Sequence, residues 1–338
     1  MEKTIGWGII GLGRIATEFA ESLRLVPGTK IAAVGSRSIE KAKKFVEIYG
    51  GNAYGSYEEM LKDPAVDLVY VATPHPIHEE CVIMSANAGK GILCEKPFTV
   101  TYQSAQRMID AAKKNNVLLM ECLWSRFFPI WQKALELIDQ GVIGEVRVIE
   151  SAMSWTHQTV LPNDRLFDPK LAGGAILDAG AYPLSAAFAI MKGKLPSEIK
   201  GVYHLCSTGV DDDAAILFRY ENPDVLALLR CGLRSTGYDT RIIGARGTLL
   251  VERHDYPSRL TIMHHEYNVT YPRQDEIIEI PFRTRGFQYI IPAVLDCFRK
   301  GKKECETTPW QQTLDMARIS ENLRHEAGVW YPFEEKRP

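Results

Sequence analysis

Several features common in other protein classes are missing from this chain. No Cys-x-x-Cys pair occurs; the seven cysteines stand at 81, 94, 122, 206, 231, 297 and 305, odd in number and widely scattered. That pattern argues against a zinc knuckle or a disulfide framework, and it makes a reducing cytoplasm the expected compartment. Charge of one sign is not in excess either, with 40 basic against 42 acidic side chains and a net charge of −2. With no basic surplus to neutralise a phosphate backbone, nucleic acid is not an expected partner. No uninterrupted apolar run approaches the ~20 residues that span a bilayer, so no membrane association is expected. Internal repeats and low-complexity segments are absent. The N-terminus superficially resembles a short signal peptide, but its early acid, its glycines and Arg14 read better as a buried strand entering a Gly-rich turn.

What is present is a globular composition, 46% hydrophobic and 24% charged over 338 residues. At ~150 residues per domain, that length suggests about two domains. Up to about residue 120, short apolar runs (4–10, 30–34, 67–72, 91–94, 117–120) alternate with helical patterns (14–25, 39–49, 77–87, 101–114). Such alternation indicates βαβ units on a mostly parallel sheet. Beyond residue 123 the texture changes. A strand at 146–155 and one long helix at 174–191 precede strand-like runs at 199–205, 214–220, 225–231, 240–243, 248–251, 260–263 and 276–281. Helices at 288–300 and 310–327 close the chain. The expected fold is α/β: a Rossmann-type doubly wound parallel sheet over 1–122, then an α+β domain over 123–338 with a large open, mostly antiparallel sheet.

The first strand runs into Gly8-Ile9-Ile10-Gly11-Leu12-Gly13-Arg14-Ile15-Ala16. Gly11-x-Gly13-x-x-Ala16 has the spacing and context of a dinucleotide turn. Gly11 allows the tight turn, Gly13 lets a pyrophosphate approach the backbone, and Ala16 permits close helix packing. Arg14 and Ile15 open the helix whose free amides face the phosphates. The competing reading is an S-adenosylmethionine-dependent methyltransferase, which also uses a glycine-rich first turn. The second strand ends in Ala33-Val34-Gly35-Ser36-Arg37-Ser38, with no acid at 33–38 to accept bonds from ribose hydroxyls. Arg37, with Ser36, Ser38 and Lys41, suits a 2′-phosphate, which favours NADP and leaves NAD as the alternative.

Four motifs occur in order: Gly8-x-x-Gly11-x-Gly13-x-Ile15-Ala16, Thr73-Pro74-His75-Pro76-Ile77-His78, Glu95-Lys96-Pro97 and Asp178-x-Gly180-x-Tyr182. Together they resemble the Gfo/Idh/MocA oxidoreductase family over essentially the whole chain. Tyr54-Gly55-Ser56-Tyr57-Glu58-Glu59, the 121–129 stretch and Gly209-Val210-Asp211-Asp212 resemble its dimeric dihydrodiol dehydrogenase and NADP-linked xylose dehydrogenase branch. Many members carry His and Asp where this chain has Tyr182 and Ser185, a departure that matches the tyrosine-using branch. The resemblance implies hydride transfer between NADP(H) and a polyol, sugar or carbonyl compound. It also implies a homodimer formed through the C-terminal sheet.

The chemistry can be stated from the residues. Alcohol oxidation needs a group to take the hydroxyl proton. A phenol at pKa ~10 does so near neutrality only beside a positive charge. Tyr182 as general acid/base, with Lys96 as its charge partner, satisfies that need. Asp178, four residues earlier on one helical face, is expected to orient Lys96 or bind substrate. Thr73, Pro74, His75, His78 and Glu95 are expected to line the cofactor. Trp124, Arg126 and Phe127 are expected to wall the substrate, with core packing the competing reading for Phe127 and Phe128. No metal is expected, because His75 and His78 lack a third ligand at suitable spacing. Asp211-Asp212-Asp213 reads as a solvated turn without a role. A non-catalytic, dinucleotide-sensing protein of the same fold is the rival from another class.

Overall fold

A computed structural model describes residues 3–265, 274–281 and 285–334. The chain divides into two compact units, one formed by 1–124 with 283–317 and the other by 125–282 with 318–338. The first crossing thus falls within two residues of the expected 122/123 boundary. The expected second domain, however, gives up 283–317 to the first unit.

The first unit begins with β1 (Ile5–Ile10), α1 (Arg14–Leu23), β2 (Thr29–Gly35), α2 (Ile39–Tyr49), β3 (Asn52–Tyr54) and α3 (Tyr57–Leu61). It continues with β4 (Leu68–Val71), α4 (His78–Asn87), β5 (Gly91–Glu95), α5 (Tyr102–Lys114) and β6 (Leu119–Cys122). Its sheet has the order β3-β2-β1-β4-β5-β6, every pairing parallel. The sequence reading lacked β3 and α3, which are too short to show a period. Chain direction away from β1 reverses between β2 and β4, so the loops after β1 and β4 flank the switch point where such sheets bind ligands.

β1, β4 and β5 are buried along their whole length, which explains their unbroken apolar runs. Phe19 stacks on Tyr70 with centroids 3.9 Å apart, and Trp7 meets Phe19 edge-on at 5.2 Å. Each such buried ring contributes roughly 1.5–3 kcal/mol of transfer free energy.

The second unit carries α6 (Pro129–Asp139), absent from the sequence reading, then β7 (Val146–Ser154), α7 (Ala175–Asp178) and α8 (Ala181–Ile190). Seven strands follow: β8 (Glu198–Leu205), β9 (Asp211–Tyr220), β10 (Val225–Gly232), β11 (Thr240–Gly244), β12 (Gly247–Glu252), β13 (Arg259–His264) and β14 (Glu276–Glu279). With β7 they form one eight-stranded sheet in the order β14-β13-β12-β11-β7-β10-β9-β8, antiparallel except for the β7–β10 pair. The α/β class and both sheet types are therefore as expected. α9 (Phe287–Arg299) belongs to the first unit, and Phe287 closes the Phe19–Tyr70 cluster. α10 (Trp310–Glu326) contributes residues to both units.

The expected single helix at 174–191 is two helices. Pro169–Ile190 is long and apolar enough by composition to cross a bilayer, yet 94% of its best window is buried inside the fold. It is a core segment: all of α8 except Ala189 is buried. The opposite side of the sheet differs. Val202, Leu217, Leu226 and Leu228 are exposed on β8, β9 and β10, and Leu217 pairs with Leu228 in register.

Candidate active site

In the first unit, β1 runs directly into Gly11, whose φ is +89°. A Cβ there would lie 2.6 Å from the Ala72 carbonyl oxygen, so the turn packs directly on the end of β4. At Gly13 a Cβ would meet nothing within 4 Å. Gly13 precedes α1 and offers no side-chain cap, and the first amides of a helix have no partner within it. Ala16, fully buried, lets α1 sit close to the strand. An open backbone cradle beneath an uncapped helix N-terminus fits a pyrophosphate. Arg14 is splayed outward and pairs with the buried Glu18 carboxylate, while Ile15 is half-buried.

At the end of β2, Arg37 is exposed. Ser36 Oγ accepts the Ser38 amide at 3.2 Å, and Ser38 caps α2 by accepting the amide of Lys41. Ser38 Oγ also donates to Glu40 at 3.0 Å. Glu40 is thus an acid near the end of β2, two residues beyond the 33–38 stretch that carries none.

Two of the expected cofactor residues are structural. The fully buried His78 places Nε2 2.8 Å from the Thr73 carbonyl, and Nδ1 3.1 and 3.2 Å from those of Pro97 and Phe98. Burial pushes its pKa down. The neutral ring donates from one nitrogen only, but it is packed between the Thr73 carbonyl and those of Pro97 and Phe98 and is not available to a cofactor. Glu95 is buried, accepting the Tyr70 hydroxyl at 2.5 Å and the Lys96 amide at 3.1 Å. It anchors the backbone that presents Lys96. Lys96 itself is half-buried just beyond β5, before a cis Pro97. Thr73 is buried, Pro74 exposed and His75 half-buried. Trp124 is also buried, stacked on Phe287 at 5.1 Å.

In the second unit, α7 ends at Asp178 and α8 begins at Ala181. The Gly180 amide reaches back five residues to the Ala175 carbonyl, whereas that of Tyr182 reaches back only three, to Ala179. The turn is reset between them, so Asp178 and Tyr182 do not share a continuous helical face as expected. Tyr182 lies in the first turn of α8, 8% exposed, with its ring edge-to-face against His254 at 5.5 Å. His254 was not singled out from sequence, where a lone histidine carries no signal. Burial, and then the charge of Arg126, push its pKa down to about 3, so it is a neutral wedge.

Asp178 is buried and receives Arg165, whose two terminal nitrogens lie 3.1 and 3.4 Å from its two carboxylate oxygens. Arg165 was also missed. Arg126, expected to wall the substrate, is instead buried and donates to Ser185 Oγ at 2.7 Å and to the Ser185 carbonyl at 3.1 Å. Phe127 is half-buried, and Phe128 is core. Asp211 is fully buried rather than solvated, accepting the Ile176 amide of α7 at 2.6 Å. Burial raises its pKa to about 6.

A doubly wound sheet with an open glycine cradle at its switch point defines a dinucleotide-binding protein. Residues 5–122 match the family model of the oxidoreductases with an NAD-binding Rossmann fold, and residues 131–250 match that of the GFO/IDH/MocA C-terminal domain. The chain belongs to the Gfo/Idh/MocA oxidoreductase family. It is 33% identical over 330 residues to the trans-1,2-dihydrobenzene-1,2-diol dehydrogenase of Xenopus laevis, covering 96% of this chain and 99% of that one. It is 31% identical over 338 residues to the human enzyme of that name, covering 98% and 99%. Among solved structures, a 3-ketoreductase from Actinomadura kijaniata in complex with NADP and TDP-benzene is 26% identical. It superposes with a TM-score of 0.81 over 96% of this chain and 98% of that one. An aldose-aldose oxidoreductase from Caulobacter crescentus, 24% identical, shares the fold with a TM-score of 0.84 over 96% and 98%.

Proposed function

We propose that the protein is an NADP(H)-dependent oxidoreductase acting on the CH–OH group of a vicinal diol or sugar hemiacetal, or on the corresponding carbonyl. The observation that carries this reading is the uncapped, sterically open Gly13 turn of a family oxidoreductase. The exposed Arg37 at the end of β2 and the NADP complex of the 3-ketoreductase support the phosphorylated cofactor. The names of the dihydrodiol dehydrogenases support the substrate class.

Bound NADP(H) would supply the hydride donor or acceptor. Gly11 and Gly13 would hold its pyrophosphate at the N-terminus of α1, with Arg37, Ser36 and Ser38 at its adenosine end. In the oxidative direction Tyr182 takes the hydroxyl proton as hydride leaves carbon; in reduction it returns that proton to the carbonyl oxygen. Lys96 supplies positive charge that favours the phenolate. Replacing Tyr182 with Phe is expected to lower turnover at least about 100-fold while dinucleotide binding survives, since general acid–base catalysis contributes that much. Lys96→Met should also impair turnover. Normal rates on diols and aldoses in either variant would remove that residue from the mechanism. Dinucleotide binding with no turnover on any polyol or aldose would favour the sensing role.

We further propose that two copies pair through the exposed apolar face of β8, β9 and β10, and that the protein works in the cytoplasm. All seven cysteines are thiols, six of them buried, which suits a reducing compartment.

A further inference from the structure

We propose that His254 is a positioning residue for Tyr182: its buried ring, fixed by neighbours within the second unit, holds the phenol in the orientation from which it passes its proton. The inference rests on the reading of Tyr182 as acid/base and adds what keeps that side chain in place. His254 lies in the loop between β12 and β13 and is 1% exposed. The residue before it, Arg253, has φ +62°, a conformation uncommon for a residue with a side chain. Contacts on the outside hold that turn. The Arg253 guanidinium pairs with Asp255 at 3.1 and 3.3 Å and lies over the Tyr238 ring at 5.2 Å. The His254 amide donates to the Tyr238 carbonyl at 2.5 Å. The left-handed turn thereby sends the side chain at 254 inward.

Inside, the ring meets three elements. Nδ1 lies 3.2 Å from Thr240 Oγ1 on β11, which in turn lies 2.7 Å from Ser151 Oγ on β7. Thr240 and Ser151 are buried and pair in register, so this chain ties the imidazole to two adjacent strands. Trp131 of α6 packs on the ring with centroids 5.0 Å apart and planes at 56°. Tyr182 of α8 meets it at 5.5 Å and 82°, the edge-to-face geometry that aromatic pairs prefer. The helix under the tyrosine is held separately. Ser185, one turn along α8, receives the buried Arg126 guanidinium through both its hydroxyl and its carbonyl. With the helix and the imidazole both fixed, the phenol cannot swing toward the sheet. A displacement of about 1 Å at a reacting group can cost ~100-fold in rate. With its pKa pushed down, His254 does not compete for the proton that Tyr182 handles.

Two substitutions separate the ring contact from the hydrogen bond, and both leave Arg126 charged. His254→Phe keeps an aromatic ring against Tyr182 and leaves Thr240 bonded to Ser151. His254→Asn keeps a polar partner for Thr240 and removes the ring. With NADP and a diol or aldose as substrates, His254→Asn and His254→Ala should lower kcat at least about tenfold, with KM for the dinucleotide unchanged. His254→Phe should stay within about threefold of the wild type, as a shape-conserving swap does. In the Tyr182→Phe background His254→Asn should change kcat less than about twofold, because its partner is already gone. Cofactor-free protein labelled with 13C in the tyrosine rings reports the same restraint without turnover. Loss of one of the 14 tyrosine signals in Tyr182→Phe assigns the resonance. Its ring flips should become about two- to tenfold faster in His254→Asn, the range that loss of one aromatic contact allows. Wild-type kcat in both His254→Asn and His254→Ala, an equal loss in the Tyr182→Phe background, or an unchanged flip rate overturns the proposal. Either variant alone suffices if the other does not fold. If Tyr182→Phe itself turns over normally, the acid/base reading fails and this proposal falls with it. An impaired Tyr182→Phe beside a fully active His254→Asn removes His254 alone.

Discussion

Among single residues, Asp211 shows most clearly what sequence alone conceals. A run of three aspartates reads as solvated, yet the first is fully buried against the amide of Ile176, with Arg324 and Asp212 as its charged neighbours. Its folded pKa, about 6, lies above the ordinary carboxylate value of 3.8. The folded state therefore binds this proton more tightly than the unfolded chain does. The stability so gained is complete below pH ~4 and is lost as pH rises through 6, leaving an ionised, buried carboxylate as a cost at neutrality. Asp211→Asn keeps an acceptor for the amide and removes the charge. Its stability relative to the wild type should rise between pH 4 and 6.5, by something on the order of 2–3 kcal/mol, and then level off. Urea titrations across that range measure the difference; a pH-independent offset would contradict the assignment. The glycines were legible because their spacing encodes geometry directly. Arg165, His254 and Glu40 were not, since each depends on a neighbour distant in sequence or just outside a motif.

At the level of elements, five strands and four helices of the first sheet unit were legible from periodicity, and so were the eight strands of the second. α6 and the short β3 and α3 were not. The break between α7 and α8 was not legible because a single glycine inside an otherwise apolar, helix-like run is tolerated in many helices. Gly180 enforces it: a Cβ there would lie 2.2 Å from the Ile176 carbonyl oxygen. Replacing glycine by alanine in a regular helix stabilises by up to about 1 kcal/mol. Here the sign should reverse, with Gly180→Ala losing about 1–3 kcal/mol, as overpacking does. Thermal unfolding decides between the two, and a raised Tm would mean that the reset turn is not needed. The same break explains how Asp178 turns to Arg165 while Tyr182 packs on His254.

For the whole molecule, two sheets of different type imply two tasks. The parallel sheet is covered on both faces, but the second sheet leaves Val202, Leu217, Leu226 and Leu228 exposed at 75%, 53%, 52% and 42%. Such patches mark association surfaces. Leu217→Asp places a charge in the middle of this face without touching the core. Light scattering after gel filtration should then find a monomer where the wild type is a dimer, with turnover per chain measurable in both. A wild-type monomer would refute the pairing.

The central claim is dinucleotide binding at the Gly13 turn, and thermal unfolding of the cofactor-free protein with NADPH, NADH and S-adenosylmethionine tests it directly. A ligand at ~100 times its dissociation constant stabilises by about 2.7 kcal/mol. The shift should appear with NADPH most strongly, and it should vanish in Gly13→Val. That variant's own unfolding should change little, because the extended Gly13 backbone (φ −93°, ψ −174°) accepts a branched side chain into open space. A larger shift with NADH would remove Arg37 from the cofactor assignment. No shift with either dinucleotide, or an equal shift in Gly13→Val, would contradict the account.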